Sequence, residues 1–376
     1  MNSTHGAAKF FIALLSTLML LSPVSISAQQ NQTGTQQQGP RPSNTSQKES
    51  STQTSAQPAQ SKEEPDLSGE DVVRVETDLT NILLTVIDRD HRFLTTLRQE
   101  DFRILENGVA QDISIFQRET DLPLTIAILI DTSKSQERSL PDEKSAAVAF
   151  VQSVIRPDRD RAAVVSFTGE ATIEQPLTND TESLKSAINR VEVVLPPEKG
   201  TALAEDEPEI PPEKDPRGWT GIWDAGWATM TDLLSKTPEN TRRAIILLTD
   251  GDDTSSKTKK KDLIELANRS NVVVYSIGVE DKEYSSDRGA LRKVSDGTGG
   301  RAFFPLNKAE LQTAFAQIQQ ELRSQYLIAY SPKNKTRDDT LRQVRIEVLN
   351  PELRKQKLKL LYRQGYYYKQ PQKKIG

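Results

Sequence analysis

The chain has 376 residues, room for two or so folded domains, with a formal net charge of −4 and no cysteine. Lack of cysteine excludes disulfides, thiol catalysis and lipid attachment through a thiol. Of the two histidines, His5 lies in a segment that reads as a cleaved signal and would leave His91 alone, which disfavours Ser-His-Asp chemistry and a multi-histidine zinc site, and no basic stripe with interleaved aromatics points to nucleic acid.

Residues 1–28 read as a secretory signal: Lys9 supplies positive charge, Phe10 to Leu21 an apolar run, and Ile26-Ser27-Ala28 a cleavage site. The run is short for a spanning helix and no later segment approaches one. The mature chain is therefore expected to be exported (periplasm, cell surface or medium) without a transmembrane span, retention as an uncleaved anchor being the alternative. Residues 29–70 are rich in Gln, Ser, Thr and Pro with almost no large apolar side chain, the composition of a disordered tether.

Residues 71–119 read as β structure. Val72–Val75 and Leu79–Ile87 are apolar or β-branched runs, the second closed by a turn in which His91 faces solvent. Phe102–Leu105 and Val109–Phe116 flank Asn107-Gly108, a type I′ hairpin signal. Over 122–323 strands and helices alternate. Strands are predicted at Leu124–Ile130, Ala162–Phe167, Ala171–Gln175, Ala244–Leu248, Val272–Ile277 and Arg301–Phe304. Helices are predicted near 142–155, 181–191, 222–235, 259–269, 287–296 and 308–322, with Lys257 and Lys259 to Lys261 a solvated helix start. This alternation predicts an α/β fold, a doubly wound and mainly parallel Rossmann-like sheet. Residues 324–369 return to β at Tyr326–Tyr330, Leu341–Val348 and Leu358–Tyr366, and Tyr366, Tyr367 and Tyr368 read as a strand end. Neither flank holds enough strands for a sandwich. Together they supply about seven, so both ends of the chain are expected to build one immunoglobulin-like β-sandwich around the inserted α/β domain.

Chemistry concentrates where Ile128-Leu129-Ile130 runs into Asp131-Thr132-Ser133-Lys134-Ser135. A continuous apolar run suits a central parallel strand, and ligands of open α/β sheets sit at the strands' carboxyl ends. Here a carboxylate and two hydroxyls occur at alternate positions, hard oxygen donors suited to magnesium, calcium or manganese. Asp250, after Leu247-Leu248-Thr249, sits at the end of a second apolar strand, and Thr220 precedes a helix that begins near Ile222. The bland alternative for Asp131, Ser133 and Ser135 is a helix-capping turn.

Asp131, Ser133, Ser135, Thr220 and Asp250 resemble the metal-ion-dependent adhesion site of von Willebrand factor type A domains. Ala163 to Phe167, Val274 to Gly278 and Thr298-Gly299-Gly300-Arg301 fall where such domains place them. Asp101-Phe102, Glu106-Asn107-Gly108, Gln325 to Tyr330 and Gly365-Tyr366-Tyr367 extend the likeness to a family of secreted bacterial proteins related to these domains. The resemblance implies that Ser133, Ser135 and Thr220 bind a divalent cation directly, with Asp131 and Asp250 acting mainly through waters. The ion implied is magnesium, with manganese or calcium as alternatives. Neutral inner ligands leave it an open position for an acidic group of a protein partner, which makes the chain an exported, non-enzymatic binding or adhesion module. A structural envelope scaffold and a metal-dependent hydrolase are the other classes. Any switching between affinity states is expected to involve the helix at 308–322.

Departures from the family pattern are Lys134 inside the loop and a long acidic, Pro-rich insertion at 196–217, whose Glu205, Asp206, Glu207 and Glu209 either cover or extend the metal face. Thr201 within it rivals Thr220, which is preferred because Trp223-Asp224-Ala225 continues into a helix. Asp252 and Asp253 read as solvated loop carboxylates. Trp219 and Trp223 read as packing residues, Trp219 being a binding anchor if exposed.

Overall fold

Alternation and turn chemistry organise the first elements. β1 (Thr80–Ile87) buries Ile82, Leu84 and Val86 on one face. β2 (Phe102–Glu106) and β3 (Val109–Gln111) form a hairpin across Asn107 and Gly108, whose φ values of 47° and 84° are the positive pair a type I′ turn requires. β4 (Ile113–Arg118) follows. The computed structural model describes residues 79–90, 92–118, 122–194, 220–238, 240–250, 252–279 and 287–368, all within one unit, Val73–Gly376. The signal and tether readings at 1–70, Val72–Val75, His91, the whole acidic insertion at 196–217 with Thr201, and Trp219 lie outside the described residues.

The chain then winds as an α/β layer. β5 (Leu124–Asp131) is buried at every position. α1 (Leu140–Val154), β6 (Arg161–Phe167), β7 (Ala171–Thr178) and α2 (Thr181–Arg190) follow. After these come α3 (Ile222–Asp232), β8 (Arg242–Thr249), α4 (Lys260–Ser270), β9 (Val272–Gly278), α5 (Arg288–Thr298), β10 (Ala302–Phe303) and α6 (Lys308–Leu322). Asp180, Asp287 and Asn307 cap α2, α5 and α6 by accepting from Glu182, Ala290 and Glu310 N–H, each contact contributing about 1 kcal/mol.

These strands form a six-stranded sheet in the order β10-β9-β8-β5-β6-β7, parallel except for the β6–β7 pair. β5 explains the layering. Ile126, Ile128 and Ile130 pack on one face with Phe150 of α1, Leu184 of α2 and Phe315 of α6. Ala127 and Leu129 pack on the other with Ile222 of α3, Leu263 of α4 and Leu291 of α5. Burying each large aliphatic side chain stabilises the layer by roughly 1.5–3 kcal/mol. Because β5 adds β6 on one side and later β8 on the other, the strand order reverses at β5. The crevice outside the β5 and β8 carboxyl ends is therefore the topological switch point.

β11 (Tyr326–Tyr330), β12 (Leu341–Val348), the short α7 (Pro351–Lys355), β13 (Lys359–Leu361) and β14 (Gly365–Tyr367) complete the chain. They interleave with the N-terminal strands in two four-stranded sheets, β13-β1-β11-β4 and β14-β12-β2-β3. Ile82, Ile104, Ile328 and Ile346, one from each of four strands, share the core between the sheets. Two runs expected to be single strands are each broken in two. Val109–Phe116 divides at Asp112, and Leu358–Tyr366 divides around Arg363, each half joining a different sheet. The apolar pattern continues through such a corner because both sheets face one core. Among the described residues no helix is long and apolar enough to cross a membrane.

Candidate metal centre

The carboxyl end of β5 carries Asp131 into the crevice with no solvent exposure. Its Oδ1 accepts from Ser133 N–H at 2.9 Å, which folds the loop back, and its Oδ2 accepts from the Thr249 hydroxyl at 2.6 Å. Thr249 is the last residue of β8, so this bond ties the two strand ends across the switch point. Burial, opposed by the Thr249 hydrogen bond and reinforced by the Asp250 carboxylate, pushes the Asp131 carboxyl up to about 7.

Ser133 stands at the N-cap of a 3-10 turn, Lys134–Glu137, yet its side chain makes no capping bond. Its hydroxyl lies 3.0 Å from that of Ser135 instead. The helix-capping alternative thus accounts for the Asp131 contact to Ser133 N–H but not for the two hydroxyls. Lys134 between them is exposed.

Thr220 approaches from a distant part of the chain. Its N–H donates to Thr254 Oγ1 at 2.9 Å, and its carbonyl accepts from Thr254 and Ser255 N–H, both in the loop after β8. The next residue, Gly221, donates to Thr168 O at 2.6 Å, just beyond β6. A Cβ at Gly221 would lie 3.2 Å from Gly169 O, so a side chain there would require that carbonyl to give by a few tenths of an ångström. Since β6 and β8 flank β5, the 220–221 segment is bonded on both sides of the β5 end. Asp250 follows β8 directly and is 7 % exposed. The five residues predicted from the sequence therefore sit on three loops at one sheet edge; Thr201 lies outside the described residues.

Four further residues shape the site. Thr249 positions Asp131, as above. Gln136, fully buried, accepts from Asp250 N–H at 2.7 Å and donates to Glu143 Oε1 at 2.8 Å, in the amide orientation that satisfies both neighbours. Glu143, on the first turn of α1, is also fully buried, and burial together with the Asp131 and Asp250 charges pushes it up to about 8. Asp253 corrects the reading of a solvated carboxylate: it is half-buried and accepts from Ile222 N–H and Ser256 Oγ, capping α3. Asp252 is exposed. Trp223 packs in the core as expected. Glu143 left no signal in the sequence, because an acid in a helix's first turn ordinarily serves the helix dipole. Thr249, adjacent to Asp250, was the easier to find.

The donor set fits a hard divalent cation. It consists of carboxylate and hydroxyl oxygens without nitrogen or sulfur, and burial holds Asp131 with hydrogen bonds from neutral groups only. Among the described residues no group of three His, Cys, Asp or Glu side chains is close enough to hold a metal. Any ion here would thus rely on the hydroxyls.

Two family models, both described as von Willebrand factor type A domain, match residues 126–206 and 213–320. Among solved structures, the chain is similar to proximal thread matrix protein 1 from the mussel byssus with a zinc-occupied MIDAS motif, at 18% identity and a TM-score of 0.44, over 58% of this chain and 50% of that one. The chain spans about half the length of that matrix protein. It is also similar to the conserved hypothetical protein BatB from Bacteroides thetaiotaomicron, at 18% identity and a TM-score of 0.40, over 54% of this chain and 100% of that one. A von Willebrand factor type A structure from Catenulispora acidiphila aligns at 13% identity and a TM-score of 0.43, over 78% of this chain and 73% of that one. A comparison with curated proteins finds no match.

Proposed function

Because the chain is a von Willebrand factor type A domain protein, we propose that it is an exported, non-enzymatic binding module that captures an acidic group of a protein partner through a divalent cation, magnesium in the first instance. Asp131, Ser133, Ser135, Thr220 and Asp250 would hold the ion. When bound, the cation supplies an electrophilic position that accepts a carboxylate oxygen from outside. The residues of the chain do the rest. Thr249 and Ser133 N–H fix the Asp131 carboxylate. Ser133 and Ser135 keep two hydroxyls 3.0 Å apart and free of capping duty. The Thr220–Gly221 segment is bonded to the loops after β6 and β8, on either side of the β5 end.

The observation that carries the reading is Asp131. A carboxyl with no solvent exposure, no cation beside it among the described residues and a second carboxylate nearby is costly to keep. A divalent ion relieves both charges at once. The β-sandwich would serve as a stalk and residues 29–70 as a spacer.

Isothermal titration with manganese, followed by pull-down from envelope and culture-medium fractions in magnesium and then in chelator, tests the proposal. Saturable manganese binding and chelator-released partners are expected, both lost in Ser133→Ala. Absence of manganese binding by the intact chain would end it.

A further inference from the structure

Behind the ion site lies a contact that neither fold stability nor metal ligation explains. Glu143 is a fully buried carboxyl, and the groups acting on it are the Ser139 hydroxyl and two further carboxylates, Asp131 and Asp250. Its Oε2 has no hydrogen-bond partner among the described residues. An aliphatic residue would fill this place at lower cost. What Glu143 does provide is an acceptor, Oε1, aimed at the Gln136 amide 2.8 Å away.

Gln136 faces two groups with opposite demands. Asp250 N–H needs an acceptor and Glu143 Oε1 needs a donor; the third neighbour, the Ser139 hydroxyl at 2.7 Å, can serve as either. Glu143 and Asp250 N–H therefore together set which way the amide points. With the NH2 turned to Glu143, the amide oxygen receives Asp250 N–H at 2.7 Å. Turned the other way, the amide would set two donors against each other at Asp250. Gln136 N–H is itself bonded to Ser133 O at 3.0 Å. One residue thus joins the 133–135 turn, through its main chain, to α1 and the main chain after β8, through its side chain.

We propose that Glu143, acting through Gln136, is a positioning residue of the ion site: it fixes the Gln136 amide and so holds the Asp250 main chain in register with the Ser133–Ser135 turn. The consequence for cation affinity rests on the function proposed above; the positioning does not.

Amide hydrogen exchange at Asp250, measured on the full chain without metal, tests the positioning directly. Glu143→Met and Gln136→Met are expected to speed exchange at Asp250 by about tenfold, the loss of roughly one hydrogen bond. Glu143→Gln, which still offers an acceptor oxygen, should stay within about threefold of the parent. Manganese affinity should fall by about tenfold in Glu143→Met, as is usual when an outer-shell partner of a metal site is removed. Unchanged Asp250 exchange in either methionine variant would overturn the proposal, as would Glu143→Gln behaving like Glu143→Met. If the exchange results hold while the parent binds no manganese, the positioning stands and the cation reading falls.

Discussion

Two sets of buried carboxyls, one in each half of the fold, are treated in opposite ways. In the sandwich core Glu106 is 3 % exposed, and its Oε1 accepts from Arg342 Nη1 at 3.0 Å. Its Oε2 accepts from the hydroxyls of Tyr330 and Tyr366 at 3.0 and 2.6 Å, and the Tyr368 ring covers the guanidinium. Every oxygen has a partner and the charge has a counter-ion, so this arrangement is complete as it stands. At the β5 edge Asp131 and Glu143 are as deeply buried, yet only neutral groups hydrogen-bond to them and each feels a like charge, Asp250 at Asp131 and both Asp131 and Asp250 at Glu143. The contrast separates a charge neutralised within the fold from carboxyls buried with no counter-ion among the described residues.

The largest effect that would break this comparison lies in the sandwich. Arg342→Met strands Glu106 in an apolar core, and urea unfolding should show a loss of about 3–5 kcal/mol. Asp131→Asn at pH 8 should do the opposite in metal-free protein and raise the midpoint, because it removes a buried charge without a counter-ion. A fall of similar size in Asp131→Asn would mean that the two sets are alike.

Next in size is the response to cation. Manganese or magnesium at a hundredfold above its dissociation constant should stabilise the parent by about 2.7 kcal/mol, reversed by chelator. Thermal melting should show the same increment in Arg342→Met and none in Asp131→Asn.

The pH dependence of the metal-free protein sharpens the difference further. Burial pushes Asp131 up to about 7, Glu143 to about 8, and Glu321 of α6, despite Arg301 and the Tyr275 hydroxyl beside it, to about 7. A carboxyl whose folded value lies above its unfolded one binds more protons when folded. Its contribution is complete below the unfolded value near 4 and is lost as pH rises through the folded value. Stability should therefore decline between about pH 4 and 8, by at most about 1.4 kcal/mol per pH unit for each group. Glu321→Gln should flatten the decline and leave cation affinity alone, whereas Asp131→Asn should change both; denaturant midpoints across pH measure it.

The smallest effect is expected for Thr249→Val, which removes the hydroxyl that donates to Asp131 Oδ2. A loss of about 1 kcal/mol in metal-free stability is expected from denaturant titration, and no change at all would detach β8 from the positioning of Asp131.

Residue pattern alone determined the α/β layer, and the reason is local. β5 is apolar at consecutive positions because both of its faces are covered, and α6 shows its periodic face because one side meets the core and the other water. Asn107-Gly108 encodes its own turn through positive φ. The loop that ends in Ser135 and the acid after β8 were legible for the same reason, since strand ends in such a sheet are predictable places. What only the tertiary structure decided depends on partners remote in the chain. Glu106 finds Arg342, Gln136 bridges Glu143 to Asp250, Asp253 caps a helix that precedes it, and the terminal runs break at Asp112 and Arg363 to feed two sheets. No spacing records these contacts, because burial and hydrogen bonding are settled by what the folded chain brings within about 3 Å, not by order along it.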